Sequence, residues 1–121
     1  MATILVIDDE ESIRHLLREV LEKSGYRVLE ASDGREGLST YQKQPVDLVI
    51  MDLLMPDTDG LEATLQLTRE YVDAKVIAIT GAQGDRNFLD VANLFGARRT
   101  FQKPFDITKL LQAVKEELSP K

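Results

Sequence analysis

Hydrophobic positions along the chain alternate between two periods. Ile4-Leu5-Val6-Ile7 is an unbroken apolar run, whereas Ile13, Leu16, Leu17, Val20 and Leu21 recur at the spacing of one helix face and stop at Ser24-Gly25. Tyr26 to Leu29 reads as a second strand, and a weaker helix over about 34–42 carries Gly34 and Gly37. Pro45 precedes Val46 to Met51, a run suited to a strand covered on both faces. The turn Pro56-Asp57-Thr58-Asp59-Gly60 offers caps for a third helix through about Tyr71, and Val76 to Ile79 is a fourth strand. Phe88, Val91, Ala92 and Phe95 mark a fourth helix closed by Gly96, and Arg99 to Gln102 a fifth strand. Ile107, Leu110, Leu111, Val114 and Leu118 form the face of a fifth helix. Five strands alternating with five helices predict an α/β fold, a doubly wound (βα)5 sandwich around one parallel sheet with right-handed crossovers.

Composition narrows the function. The 121 residues make one ordinary domain, 1–121, large enough for its own core. Cysteine is absent, which excludes thiolate chemistry and Cys-type zinc sites. The net charge of −6, with bases scattered among acids, argues against direct nucleic-acid binding. No segment approaches the roughly 18 apolar residues of a membrane span, and the start lacks the basic region of a signal peptide, so a soluble cytoplasmic protein is expected.

The strand assignments have a chemical consequence. The first run ends in Asp8-Asp9-Glu10, the third in Asp52, the fourth in Thr80 and the fifth in Lys103-Pro104. Parallel strands place all of these on one sheet edge, where open α/β sheets put their chemistry. Each has an ordinary alternative: helix caps and first-turn acids for Asp8 to Glu11, a turn residue for Asp52, a β-branched strand residue for Thr80, a solvated lysine before an N1 proline for Lys103. Together they are harder to dismiss. Carboxylates about 4 Å apart repel by roughly 4 kcal/mol per pair at an effective dielectric near 20, so three converging acids call for positive charge. Lys103 brings one charge and a hard divalent cation, Mg²⁺ rather than zinc or calcium, brings two. Asp52, central on the edge, is then a phosphoryl acceptor; Asp8 and Asp9 hold the metal; Lys103 and Thr80 engage phosphoryl oxygens. No general base stands ready to hydrolyse the product, which favours a stored state.

Asp8-Asp9, Asp52 within Asp-Leu-Leu-Met-Pro-Asp-Thr-Asp-Gly, Thr80-Gly81-Ala82 and Lys103-Pro104-Phe105 closely resemble the receiver domain of two-component response regulators of the chemotaxis CheY kind, over essentially the whole chain. The resemblance implies a flavodoxin-like sheet in the order 2-1-3-4-5. It implies that Asp52 is phosphorylated from the phosphohistidine of a sensor histidine kinase or phosphotransfer protein. Mg²⁺ would be bound by Asp9, Asp52 and the Leu54 backbone carbonyl, with Asp8 assisting. It further implies a cis peptide at Lys103-Pro104 and a Thr80-driven switch of the surface formed by the fourth helix, fifth strand and fifth helix. That surface would control a downstream protein target or a homodimer. One position departs: where the family often has a switching Tyr or Phe, this chain has Thr100, and the adjacent Phe101 is expected to face the core by strand alternation. Gly81 is expected to keep the pocket open, and Leu54 and Ala82, neither acid nor amide, predict slow self-hydrolysis.

Two rival functions fit the sequence less well. A Mg²⁺-dependent phosphatase of the haloacid dehalogenase type requires Asp-x-Asp-x-Thr, where this chain has Asp8-Asp9-Glu10-Glu11-Ser12. A nucleotide or flavin binder requires a glycine- or hydroxyl-rich first loop, and this one is acidic. His15 is expected to be a solvated or half-buried structural residue, Met55 to pack in a loop, and Arg98-Arg99 to be surface charge or a dock for an acidic partner.

Overall fold

The computed structural model describes residues 1–53, 60–81, 93 and 95–119. Five strands, β1 (Thr3–Ile7), β2 (Arg27–Ala31), β3 (Leu48–Asp52), β4 (Val76–Thr80) and β5 (Arg99–Gln102), form one sheet in the order β2-β1-β3-β4-β5, every neighbouring pair parallel. Among the described residues the helices are α1 (Glu11–Lys23), α2 (Gly34–Lys43), α3 (Gly60–Glu70) and α4 (Ile107–Leu118), the last being the fifth helix expected from the sequence. The expected fourth helix, apart from Asn93 and Phe95, lies outside the described residues, as do the capping turn 56–59, Leu54, Met55 and Ala82.

Strand alternation divides the core. Leu5, Ile7, Val49, Met51, Val76 and Ala78 pack with Ala63 and Leu67 of α3 and with Leu38 and Tyr41 of α2. Ile4, Val6, Leu48, Ile50, Ile77 and Ile79 pack on the other face with Leu17 and Leu21 of α1 and with Leu110, Ala113 and Val114 of α4. Consecutive strand residues therefore serve opposite layers, which is why β1, β3 and β4 are buried throughout. The α1 stripe is narrower than its sequence suggests: Leu17 and Leu21 are buried, whereas Leu16 is 41% exposed at the edge of the sheet's cover.

Two element limits differ from the sequence reading in ways that matter. β2 runs from Arg27 to Ala31 because pairing with β1 in register, Thr3 with Arg27 through Ile7 with Ala31, draws Glu30 and Ala31 into the ladder. Gly60, expected in a turn, is the first residue of α3, and its N–H donates to Leu53 O at 3.2 Å. Gly37 of α2 also has a packing reason: a methyl group there would collide with the Ile7 side chain, so a residue that weakens the helix lets it lie close on β1. Asp33 caps this helix by accepting from Glu36 N at 2.8 Å.

Candidate functional site

The C-terminal ends of β1, β3, β4 and β5 meet at one edge. Asp8 follows β1 directly and is fully buried, its N–H donating to Ala31 O at 3.1 Å and tying the end of β1 to β2. Its Oδ1 accepts from Glu10 N at 2.8 Å, and its carbonyl accepts from Arg14 Nη1 at 2.7 Å. Arg14 is held in turn by Glu30, 3.2 Å from its Nε, so the loop carrying Asp8 and Asp9 is braced from α1 and β2. Asp52, the last residue of β3, is 2% exposed. Carboxylate oxygens of Asp8, Asp9 and Asp52 all lie within 4.8 Å of one another, Asp9 being the exposed member.

Lys103 reaches this cluster from the end of β5, where its N–H donates to Thr80 O at 2.7 Å. Its Nζ stands 3.1 Å from Asp8 Oδ2, 3.6 Å from Asp52 Oδ2 and 2.9 Å from Glu10 Oε1. Burial opposes its charge most, but the contacts with Glu10 and Asp8 and the charge of Asp52 outweigh it and raise its pKa. Burial likewise raises the Asp8 carboxyl, against the hydrogen bond from Glu10 N and the pull of Lys103. The Lys103–Pro104 peptide is cis, as expected.

Four carboxylates against one ammonium leave the pocket short of positive charge. The Asp8 carboxylate is buried, its Oδ2 3.1 Å from Lys103 Nζ, and with Asp9 and Asp52 it offers a cluster of carboxylate oxygens, the donor chemistry that suits a hard divalent cation. Asp8, Asp9 and Asp52 thus fit Mg²⁺. The fourth expected ligand, the Leu54 carbonyl, lies outside the described residues. Thr80 is fully buried, and its hydroxyl has no hydrogen-bond partner among the described residues.

Thr100 lies opposite Ala78 and Phe101 opposite Ile79, so the two point to different layers; Phe101 packs into the core shared with α1 and α4. His15 is exposed beside Glu11 on α1. Arg98 and Arg99 are not unpaired surface charges: Arg98 contacts Glu117, and Arg99 binds both Glu116 and Glu117. Three contributors were not singled out from the sequence. By sequence Glu10 reads as one of the acids of a helix start, although its place directly after the acid pair signals proximity. Arg14 is one of several bases on α1, and nothing in its spacing points to a carbonyl. Gly60 was read as a turn residue, yet a methyl group there would strike the Asp52 carbonyl oxygen, so its lack of a side chain lets α3 start against the peptide that carries Asp52.

A family model described as the response regulator receiver domain matches residues 4–115. Sporulation initiation phosphotransferase F of Bacillus subtilis is 36% identical over 115 residues, 95% of this chain and 92% of that protein. The alkaline phosphatase synthesis transcriptional regulatory protein PhoP of the same species is 39% identical over 93% of this chain, which spans 46% of that longer protein. Among solved structures, the response regulator protein TrrA of Thermotoga maritima, in complex with Mg(2+)-BeF, superposes with a TM-score of 0.88 at 36% identity, covering 98% of this chain and all of that one.

Proposed function

This chain belongs to the response regulator receiver family, a family of signalling domains, and on that premise we propose that it stores a signal as a phosphoryl group on Asp52. The observation that carries the reading is the seat of Lys103 Nζ, 3.1 Å from one buried carboxylate and 3.6 Å from another, contributed by strands that are far apart in the chain. An Asp52 oxygen attacks phosphorus; the new P–O bond forms as the bond from phosphorus to the donor breaks, and the donor departs with the electron pair. Lys103 pairs with the phosphoryl oxygens, and the Thr80 hydroxyl, without a partner among the described residues, donates to another. Mg²⁺, held by Asp8, Asp9 and Asp52 with the Leu54 carbonyl, would supply the positive charge that offsets the transferring group. Transfer of the Thr80 contact to β5 and α4, without an aromatic at Thr100, is the proposed route to the output surface. Either a downstream protein or a second copy of the chain would read that surface.

The donor in this reading is a histidine kinase or phosphotransfer protein. Beside Lys103 an apolar groove of about 330 Å³ is lined by Ile13, Leu16, Pro104, Phe105 and Ile107, a surface suited to another protein next to the acceptor. Asp52 provides one acceptor oxygen, and among the described residues of the site no side chain stands as a hydrolytic base, so a long-lived phosphoryl group is the expected product. The phosphatase reading is set aside, because the chain matches the receiver model over residues 4–115. Incubation with acetyl phosphate and Mg²⁺, followed by intact-mass analysis, tests the proposal. One added phosphoryl group is expected, absent without Mg²⁺ and in Asp52→Asn. Repeated turnover of a phosphomonoester without a stable adduct would refute it.

A further inference from the structure

The shortest of the Lys103 ammonium's carboxylate contacts runs outward, to Glu10 Oε1 at 2.9 Å, while Asp8 Oδ2 and Asp52 Oδ2 stand deeper at 3.1 and 3.6 Å. Glu10 differs from those acids in being half exposed; its side chain is 55% accessible, against 0% and 3% for Asp8 and Asp52. Its backbone, by contrast, is fixed. The N–H is bound to Asp8 Oδ1 at 2.8 Å, and the carbonyl accepts from both Ile13 N and Arg14 N at 3.1 Å at the start of α1. Only the side chain is free to move, and it is anchored where it covers the lysine.

We propose that Glu10 is a latch on Lys103, its carboxylate occupying the ammonium in the unphosphorylated protein and swinging into water when a phosphoryl group takes that ammonium over. The inference rests on the reading of Asp52 as acceptor and makes Glu10 a positioning residue that acts through Lys103. Two effects make the latch restraining. A donor phosphate carries up to two negative charges, and Glu10 both holds the cation they need and repels them at the mouth of the site. Release of Glu10 is easy, because an exposed ion pair contributes little and water takes its place. Asp8 cannot act in this way: it is buried, and its Oδ1 is already bound by Glu10 N.

The test compares wild type with Glu10→Gln, which keeps shape and removes charge. Rates of Asp52 phosphorylation by acetyl phosphate, in which acetate leaves with the electrons of the broken P–O bond, are read by quenched intact-mass analysis at saturating Mg²⁺. Removing one charge near the entering dianion is expected to accelerate the reaction about three- to tenfold at low salt, the gain shrinking as salt screens it. A Mg²⁺ titration by calorimetry should give nearly equal affinities for the two proteins, and thermal melting should show both folded. A rate equal to or below wild type overturns the latch. So does a large loss of Mg²⁺ affinity, which would place Glu10 among the metal ligands, or a gain that salt does not diminish. If neither protein takes up a phosphoryl group, the acceptor reading falls and the latch with it; equal rates overturn the latch alone.

Discussion

Replacing Gly60 with alanine should destabilise the protein, the reverse of the usual effect of removing a helical glycine. That change ordinarily gains about 0.5–1 kcal/mol. Here the added methyl would strike the Asp52 carbonyl oxygen and stand 2.6 Å from Leu53 Cα and 3.0 Å from the Asp52 carbonyl carbon. These are main-chain atoms at the end of a central strand, so no rotamer change relieves the contact. Moving α3 outward instead would stretch the 3.2 Å bond from Gly60 N to Leu53 O and loosen Ala63 and Leu67 from the core. Overpacking costs about 1–3 kcal/mol, and with backbone as the obstacle the upper half applies; subtracting the helix gain leaves about 1–2.5 kcal/mol. For a domain of this size the melting temperature falls by about 3–12 °C. Circular dichroism melts check this against Gly81→Ala, where a methyl meets nothing within 4 Å and little change is expected. Because the displaced peptide carries Asp52, the acetyl phosphate reaction of Gly60→Ala should also slow by about tenfold or more. A melting temperature at or above wild type would refute the argument that this glycine exists for close approach.

Thr80→Val should stabilise the unphosphorylated protein by about 1 kcal/mol, since it removes a buried hydroxyl without a hydrogen bond, while shortening the life of the phosphoryl group; urea unfolding and adduct decay measure the two. Asp8 has a raised carboxyl pKa because of burial, so the stability it contributes is complete below the ordinary range near about 3.9 and is lost as pH rises through the raised value. In chelator at pH 7, Asp8→Asn should therefore melt higher than wild type, with the gap closing in acid and the Mg²⁺-dependent rise in melting temperature abolished. Glu30 behaves oppositely. Burial acts to raise its pKa, but Arg18 and then Arg14 outweigh it, so its contribution is present above the ordinary range and is lost as pH falls through the lowered value. Glu30→Gln should lower stability by about 0.5–1.5 kcal/mol at neutral pH, and urea midpoints should converge with wild type below about pH 4.

The central strands and the polar edge were legible because apolar runs that stop at Asp8, Asp52 and Thr80 encode both a strand and its end, whereas the sheet order followed from the receiver resemblance. Period-2 alternation also placed Phe101 in the core and Thr100 on the opposite layer. What sequence alone withheld depends on where flexible side chains settle between segments distant in the chain. Glu10 and Lys103 meet across 93 positions of sequence, and the meeting is decided by two long side chains rather than by spacing. Arg14 reaches the Asp8 carbonyl only because Glu30 orients it from β2. Arg98 and Arg99 read as surface charge or a dock, and their pairing with Glu116 and Glu117 of α4 depends on how β5 and α4 pack. Gly60 and Gly37 signalled turn and weak helix by propensity, whereas their purpose is the gap between a helix and a strand, a property of two elements together.

The central claim is that Asp52 itself receives the phosphoryl group. Borohydride reduction of the acetyl phosphate-treated protein converts an aspartyl phosphate to homoserine, and peptide mapping by mass spectrometry then reads the position. Homoserine at residue 52, dependent on Mg²⁺ and lost in Lys103→Ala, is the predicted result. Homoserine at Asp8 or Asp9, or at no aspartate while the phosphoryl mass persists, would contradict the account.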